Sequence, residues 1–341
     1  MNLRLPALAV ATAAALSFSA PVMARDTIQI AGSSTVLPFT SVVAEQFGRT
    51  FPQFRTPVVG SGGTGGGMRQ FCQGVGVGTI DIVNASRPIR PAEVEACRAN
   101  GVTNIIQVRI GFDGIVFASQ RAGPAFALEP RHIFLAGARE VPQGGRMVPN
   151  PFTRWSQIDP ALPDQEIALI IPSTAHGTRE VYEERVTTPG CEALPEVRAM
   201  TDARARAAFC QATRADGRVI DIAGDYTETL ARLNAQRHAV GVFGLTFFET
   251  NRDRLRVATI NGVTPSTETI ETGQYPVSRP LYFYIKGAHI GVIPGLQQFA
   301  EFFMSPAVSG PGSPLDRAGL IPLSTRERTQ VLNTIRTRQA L

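Results

Sequence analysis

Thr27-Ile28-Gln29-Ile30-Ala31-Gly32-Ser33-Ser34-Thr35-Val36-Leu37-Pro38 runs an apolar strand straight into a glycine, hydroxyl side chains and the start of a helix. From Pro38 onward, Val42, Val43, Phe47 and Phe51 fall roughly on one helical face. The pattern then repeats. Thr56-Pro57-Val58-Val59 reads as a strand, and the glycine loop Gly60-Ser61-Gly62-Gly63-Thr64-Gly65-Gly66-Gly67 leads into a helix starting over residues 68–72. Ile80-Asp81-Ile82-Val83 reads as a third strand, followed by Asn84-Ala85-Ser86-Arg87 and a helix over 91–97. This βαβαβα order predicts an α/β sheet with helices on both faces and a ligand at the C-terminal ends of the strands.

A second α/β unit begins near Ile110. Residues 114–118 and 167–171 are expected strands, and the latter feeds directly into Ser173-Thr174-Ala175-His176-Gly177-Thr178-Arg179. Residues 240–244 and 281–285 read as further strands, and 294–304 as a helix. The Gly- and Pro-rich stretch 138–152 is expected to be a surface loop. Tyr226 and Thr227 read as caps of the helix that carries Leu230 and Leu233.

The Ser/Thr-rich stretches at Gly32, Gly60, Asn84 and Ser173 all precede helix starts. A helix N-terminus has unpaired N–H groups and a partial positive charge, so it attracts anions. Ser and Thr hydroxyls add donors without bulk, and glycine lets the backbone approach a small ligand. Such termini converging on one point would cage a compact oxyanion, with phosphate the first candidate. The same hydroxyls could serve only as helix caps, since capping and anion binding share one geometry.

Composition fits this reading. Residues 1–24 form an expected signal peptide: Arg4 supplies the positive end, an apolar stretch follows, and Val22-Met23-Ala24 suits cleavage. No cysteine stands directly after that site, so no lipid anchor is expected there, and the mature chain should be soluble and exported to the periplasm. Hydrophobic residues make up 43% of the chain, enough for real cores, and the formal charge is +5. The charges are scattered rather than clustered, which argues against a nucleic-acid partner; nearly all the basic residues are arginine, with Lys286 the one lysine. The four cysteines, Cys72, Cys97, Cys191 and Cys210, suit an oxidising compartment. Pairing Cys72 with Cys97 and Cys191 with Cys210 would close two short local loops; a metal site is the rival, but no CxxC spacing occurs.

The ordered set Gly32-Ser33-Ser34-Thr35-Val36-Leu37-Pro38, Gly60 to Gly67, Asp81 to Arg87, Gly111-Phe112-Asp113-Gly114, His176-Gly177-Thr178-Arg179-Glu180 and Tyr282-Phe283-Tyr284-Ile285 resembles the phosphate-binding protein of high-affinity phosphate ABC transporters. The resemblance covers nearly the whole mature chain. It implies a two-lobed type II periplasmic-binding-protein fold, with crossings near 109–111 and 278–281. Lobe 1 would comprise 25–110 and 281–341, and lobe 2 would comprise 111–280. It further implies inorganic phosphate as ligand, an inner-membrane ABC transporter permease as partner, a monomer, no cofactor and no enzymatic activity. The candidate phosphate contacts are Ser34, Thr35, Leu37, Ser61, Thr64, Ser86, Arg87, His176, Gly177 and Thr178, with either Ser61 or Thr64 turned inward.

Two departures from the family pattern matter. Arg87 stands where members commonly carry an Asp that accepts from protonated phosphate. His176 replaces a Ser, and Pro172 sits near the position of a common Arg. Arg87 could bind a tetrahedral anion through two parallel charged bonds, and His176 could donate or accept according to its tautomer. Asp81 and Asp113 read as structural, and Arg179 could face either the ligand or the other lobe. The competing readings are another oxyanion such as sulfate or molybdate, an exported phosphoester hydrolase, and a surface adhesin. No Gly-x-Ser-x-Gly elbow or HExxH pair supports the hydrolase.

Overall fold

The computed structural model describes residues 25–174, 177–223 and 226–341. Strands β1 (Gln29–Gly32), β2 (Val58–Val59) and β3 (Ile82–Ala85) are parallel, with β1 between the other two. Helices α1 (Leu37–Thr50), α2 (Gly63–Phe71) and α3 (Pro91–Ala99) follow them in turn. Pro38 enters at the first turn of α1, where its missing N–H has no partner to lose. That helix buries Phe39, Val43, Ala44 and Phe47; Val42 and Phe51 lie partly buried at the edge of the same core.

The first sheet continues through Ser278–Lys286, which runs antiparallel to β3 and to β4 (Ile105–Gln120). β4 is long enough to serve a second group of strands. Beyond Gly114 it leaves Ser278–Lys286 and pairs over Ile115–Ala118 with Val240–Gly244. Leu169–Pro172 and Val219–Ile222 then add parallel to that strand in order. These eight strands form one path, β2-β1-β3, Ser278–Lys286, β4, Val240–Gly244, Leu169–Pro172, Val219–Ile222, with a lobe built on each half. This is the two-lobed α/β architecture expected from the sequence.

The expected glycine loop is shorter than the sequence suggested, because Gly63 to Gly67 already belong to α2. Glycine is a poor helix former, so tertiary contact must decide. A Cβ on Gly67 would lie 2.5 Å from the Cα of Gly32, so α2 crosses β1 with no room for a side chain. Residues 138–152 also differ from expectation. They contain a hairpin, Glu140–Gln143 with Arg146–Pro149, turned by Gly144 and Gly145 at φ of 59° and 75°. Two successive left-handed residues match the twist of the flanking strands, so two glycines suffice for the turn.

Disulfides join Cys72 to Cys97 and Cys191 to Cys210. The first ties the end of α2 to α3; the second ties Thr188–Glu192 to Ala203–Gln211. No described helix is long and apolar enough to cross a membrane.

Candidate functional site between the lobes

Because β1, β2 and β3 are parallel neighbours, their C-terminal ends deliver three of the hydroxyl-bearing stretches to one edge. Ser33 N–H donates to Asn84 O at 2.9 Å, and Gly62 N–H donates to Gly32 O at 3.1 Å, which stitches the three together. Thr64 and Ser86 meet directly: their hydroxyls are 3.2 Å apart, and Ser86 N–H donates to Thr64 Oγ1 at 3.1 Å. Ser61 is exposed, whereas Thr64 is half-buried. The backbone N–H of Leu37 donates to Ser33 O at 3.1 Å in the turn that opens α1.

The fourth stretch enters from the other lobe. Leu169–Pro172 leads to the helix Gly177–Tyr182, whose first turn carries Thr178. Thr178 Oγ1 lies 2.9 Å from the Tyr226 hydroxyl. Burial pushes that phenol up to about 12. His176 lies outside the described residues. Arg179 is turned into its own lobe, donating to Glu183 at 2.7 Å and Asp221 at 2.6 Å.

A cavity of about 580 Å³ opens between these elements. Thr35 lines it from one lobe, and Asp113, Thr178, Tyr226 and Phe247 from the other. Ser34 and Thr35 already bind an anionic group across the gap. Ser34 Oγ donates to Glu180 Oε1, and Thr35 Oγ1 donates to Glu180 Oε2 at 2.9 Å. Arg279 completes the arrangement. Its side chain is 2% exposed, and it donates to Thr35 Oγ1 at 2.7 Å and to Glu184 Oε2 at 2.7 Å. Arg279 and Asp113 are cross-strand partners, yet Nε and Oδ2 stay 3.7 Å apart, too far for a hydrogen bond. Burial pushes the Asp113 carboxyl above the usual aspartate range, against the pull of Arg279.

Arg87 follows β3 directly, and its guanidinium is taken by Glu93 of α3 through two bonds of 2.9 and 2.7 Å. That hydrogen bonding raises the Arg87 pKa, and it holds Glu93 low despite burial. Asp81 is fully buried and structural, accepting from Arg25, Gln29 N–H and His289. The residues that sequence reasoning passed over are Arg279 and Glu184, together with the cross-lobe reach of Glu180; Tyr226 was read as a helix cap, not as a lining of the site. One signal was readable: Glu180 and Glu184 are four apart on the helix after the anion motif, so they share a face. Arg279 gave no such signal, since only strand pairing brings it beside Asp113.

Two α/β lobes joined by long shared strands, with hydroxyl-bearing helix starts facing across a cleft, define a ligand-capturing protein of the two-lobed binding type. The PBP superfamily domain matches residues 19–307, and the chain belongs to that superfamily. Protein SphX of Synechococcus elongatus is 27% identical over 314 residues, covering 89% of this chain and 80% of its own length. Phosphate-binding protein PstS of Staphylococcus saprophyticus is 27% identical over 304 residues, covering 88% of this chain and 81% of its own. Among solved structures, that of a possible phosphate binding protein from Planctomyces limnophilus is similar with a TM-score of 0.70 at 24% identity, covering 92% of this chain and 98% of its own.

Proposed function

We propose that this protein captures inorganic phosphate between its lobes and delivers it to the permease of an inner-membrane ABC transporter. It is a substrate-binding protein, not an enzyme. The observation that carries the reading is the pairing of Thr35 with Thr178 across one cavity, each at a helix start, with the buried cation Arg279 bonded to Thr35. Helix starts, hydroxyls and a desolvated guanidinium together suit a compact oxyanion such as phosphate. The PstS relative, a phosphate-binding protein, points the same way.

The proposed contacts are the hydroxyls of Ser34, Thr35, Thr178, Ser86 and either Ser61 or Thr64, with backbone N–H groups near Leu37 and Gly177. Arg87 would join by exchanging Glu93 for the ligand. The proposed lobes are 25–110 with 281–341, and 111–280, hinged where β4 and Ser278–Lys286 run side by side. Residues 1–24 would direct export to the periplasm, where the mature chain acts as a monomer.

Calorimetry of the mature protein with phosphate, arsenate, molybdate and sulfate tests this reading, beside a chromogenic phosphoester assay. Saturable heat at one phosphate per chain and no ester turnover are expected. Heat with sulfate but none with phosphate would overturn the ligand, and steady turnover would overturn the class.

A further inference from the structure

The donors that an incoming oxyanion needs are already in use. Both carboxylate oxygens of Glu180 are held by Ser34 and Thr35, and Arg279 Nη2 lies 3.4 Å from Oε2. One turn further along, Glu184 takes the other arm of the same guanidinium at 2.7 Å. Asp113 stands on its third side at 3.7 Å. One buried cation therefore faces three carboxylates. A further anion cannot join such a cluster while all three hold their places and charges, because the new repulsions outnumber the new attractions. The carboxylates differ in how they can yield. Asp113, with its side chain 15% exposed, is held above the usual aspartate range and can shed its charge by taking a proton, whereas Glu180 and Glu184 are 46% and 49% exposed and can swing into water.

We propose that Glu180 is the resident anion of this site, a carboxylate that bridges the lobes and must be displaced from Ser34 and Thr35 before a ligand binds. This rests on the phosphate reading above and adds a specificity-determining residue to it. An anion offering only what a carboxylate offers gains nothing by the exchange. A tetrahedral dianion brings more acceptor oxygens and more charge to the same donors, so it passes the threshold that Glu180 sets. Because Glu180 and its hydroxyl partners belong to different lobes, the contact also draws the lobes together when no ligand is present.

The test compares mature wild type with Glu180→Ala, which is exposed and safe for folding, and with Glu180→Gln, which keeps the shape but not the charge. Phosphate calorimetry reads the threshold, and small-angle scattering without phosphate reads the bridge. The expected result is phosphate binding tighter by about tenfold or more in Glu180→Ala, a smaller gain in Glu180→Gln, and a larger phosphate-free radius of gyration in Glu180→Ala than in wild type. Equal or weaker phosphate binding in Glu180→Ala would overturn the inference, as would an unchanged radius. A wild type that binds no phosphate would instead sink the phosphate reading, and the radius comparison would still decide whether Glu180 bridges the lobes.

Discussion

Arg279 and Arg87 show two ways a cation can sit beside a binding cleft. Arg279 is buried on a strand and shares its donors among Thr35, Glu180 and Glu184, with Asp113 standing by at 3.7 Å. Arg87 is held by Glu93 through both terminal nitrogens, and its Nη1 also donates to Pro88 O at 3.1 Å. A charged hydrogen bond is worth about 1.5–3 kcal/mol, so losing one to the ligand should weaken binding about tenfold or more. Arg87→Ala is expected to weaken phosphate binding by at least that factor in a calorimetric titration. Arg49→Ala and Arg98→Ala, which remove exposed arginines paired on their own helices, should leave it unchanged. Equal affinities in all three variants would remove Arg87 from the site. Lys286 gives a second residue-level expectation. It is fully buried, donating to Gly74 O at 2.5 Å and Thr79 Oγ1 at 2.6 Å, and burial lowers its pKa to about 8 from 10.5. Between those values the unfolded chain holds a proton that the folded chain has released, so this group's contribution to stability rises with pH from about 8 to 10.5. Urea midpoints of wild type and Lys286→Met across that window should show the rise in wild type only; parallel curves would contradict it. Of these residues, Thr35 and Thr178 were legible, because a hydroxyl before a helix is a local pattern. Arg279 was not, because its partners come from β4, the turn before α1 and the helical segment that carries Glu180 and Glu184.

Local pattern served the elements well where hydrophobic runs were bounded by turns. Residues 240–244 and 281–285 were read as strands because apolar runs bounded by glycine or polar residues need no tertiary information. Gly63–Gly67 and the hairpin at Gly144-Gly145 were misread for the opposite reason: composition says loop, while close packing against Gly32 and a two-residue turn say otherwise. The α2 glycines make a paired prediction. A Cβ at Gly65 would meet Arg69 Nη1 at 3.8 Å, ordinary contact with a flexible side chain. Gly65→Ala should therefore stabilise the fold by about 0.5–1 kcal/mol through helix propensity. Gly67→Ala should destabilise it, since backbone at 2.5 Å must move. Denaturant unfolding of the two variants checks the opposite signs; the same sign in both would contradict the close approach of α2 to β1. The α2–α3 staple has its own expectation. Removing the Cys72–Cys97 link, which spans 25 residues, by a double Ser substitution should cost about 3 kcal/mol in the same assay. A loss below about 0.5 kcal/mol would mean the unfolded chain gains little freedom from its absence.

At the scale of the whole molecule, the order of strands explains why one chain can hold a small anion between two bodies. β4 and Ser278–Lys286 run side by side through the middle of the sheet path, so the lobes share strands while Thr35 and Thr178 approach from opposite sides. The repeated strand-to-helix changes made the lobes legible in the sequence. What the sequence could not show was the state of the cleft, with Glu180 reaching across to Ser34 and Thr35, since that contact depends on how the lobes meet. The central claim is that a tetrahedral oxyanion binds where those groups converge. Arsenate has the shape and charge of phosphate and an X-ray absorption edge of its own. Anomalous diffraction at the arsenic edge, from crystals of the mature protein grown with arsenate, would locate it directly. The account predicts a single arsenic peak per chain within hydrogen-bond reach of the Ser34, Thr35 and Thr178 hydroxyls, with Glu180 moved aside. A peak elsewhere on the molecule, or none at saturating arsenate, would contradict it.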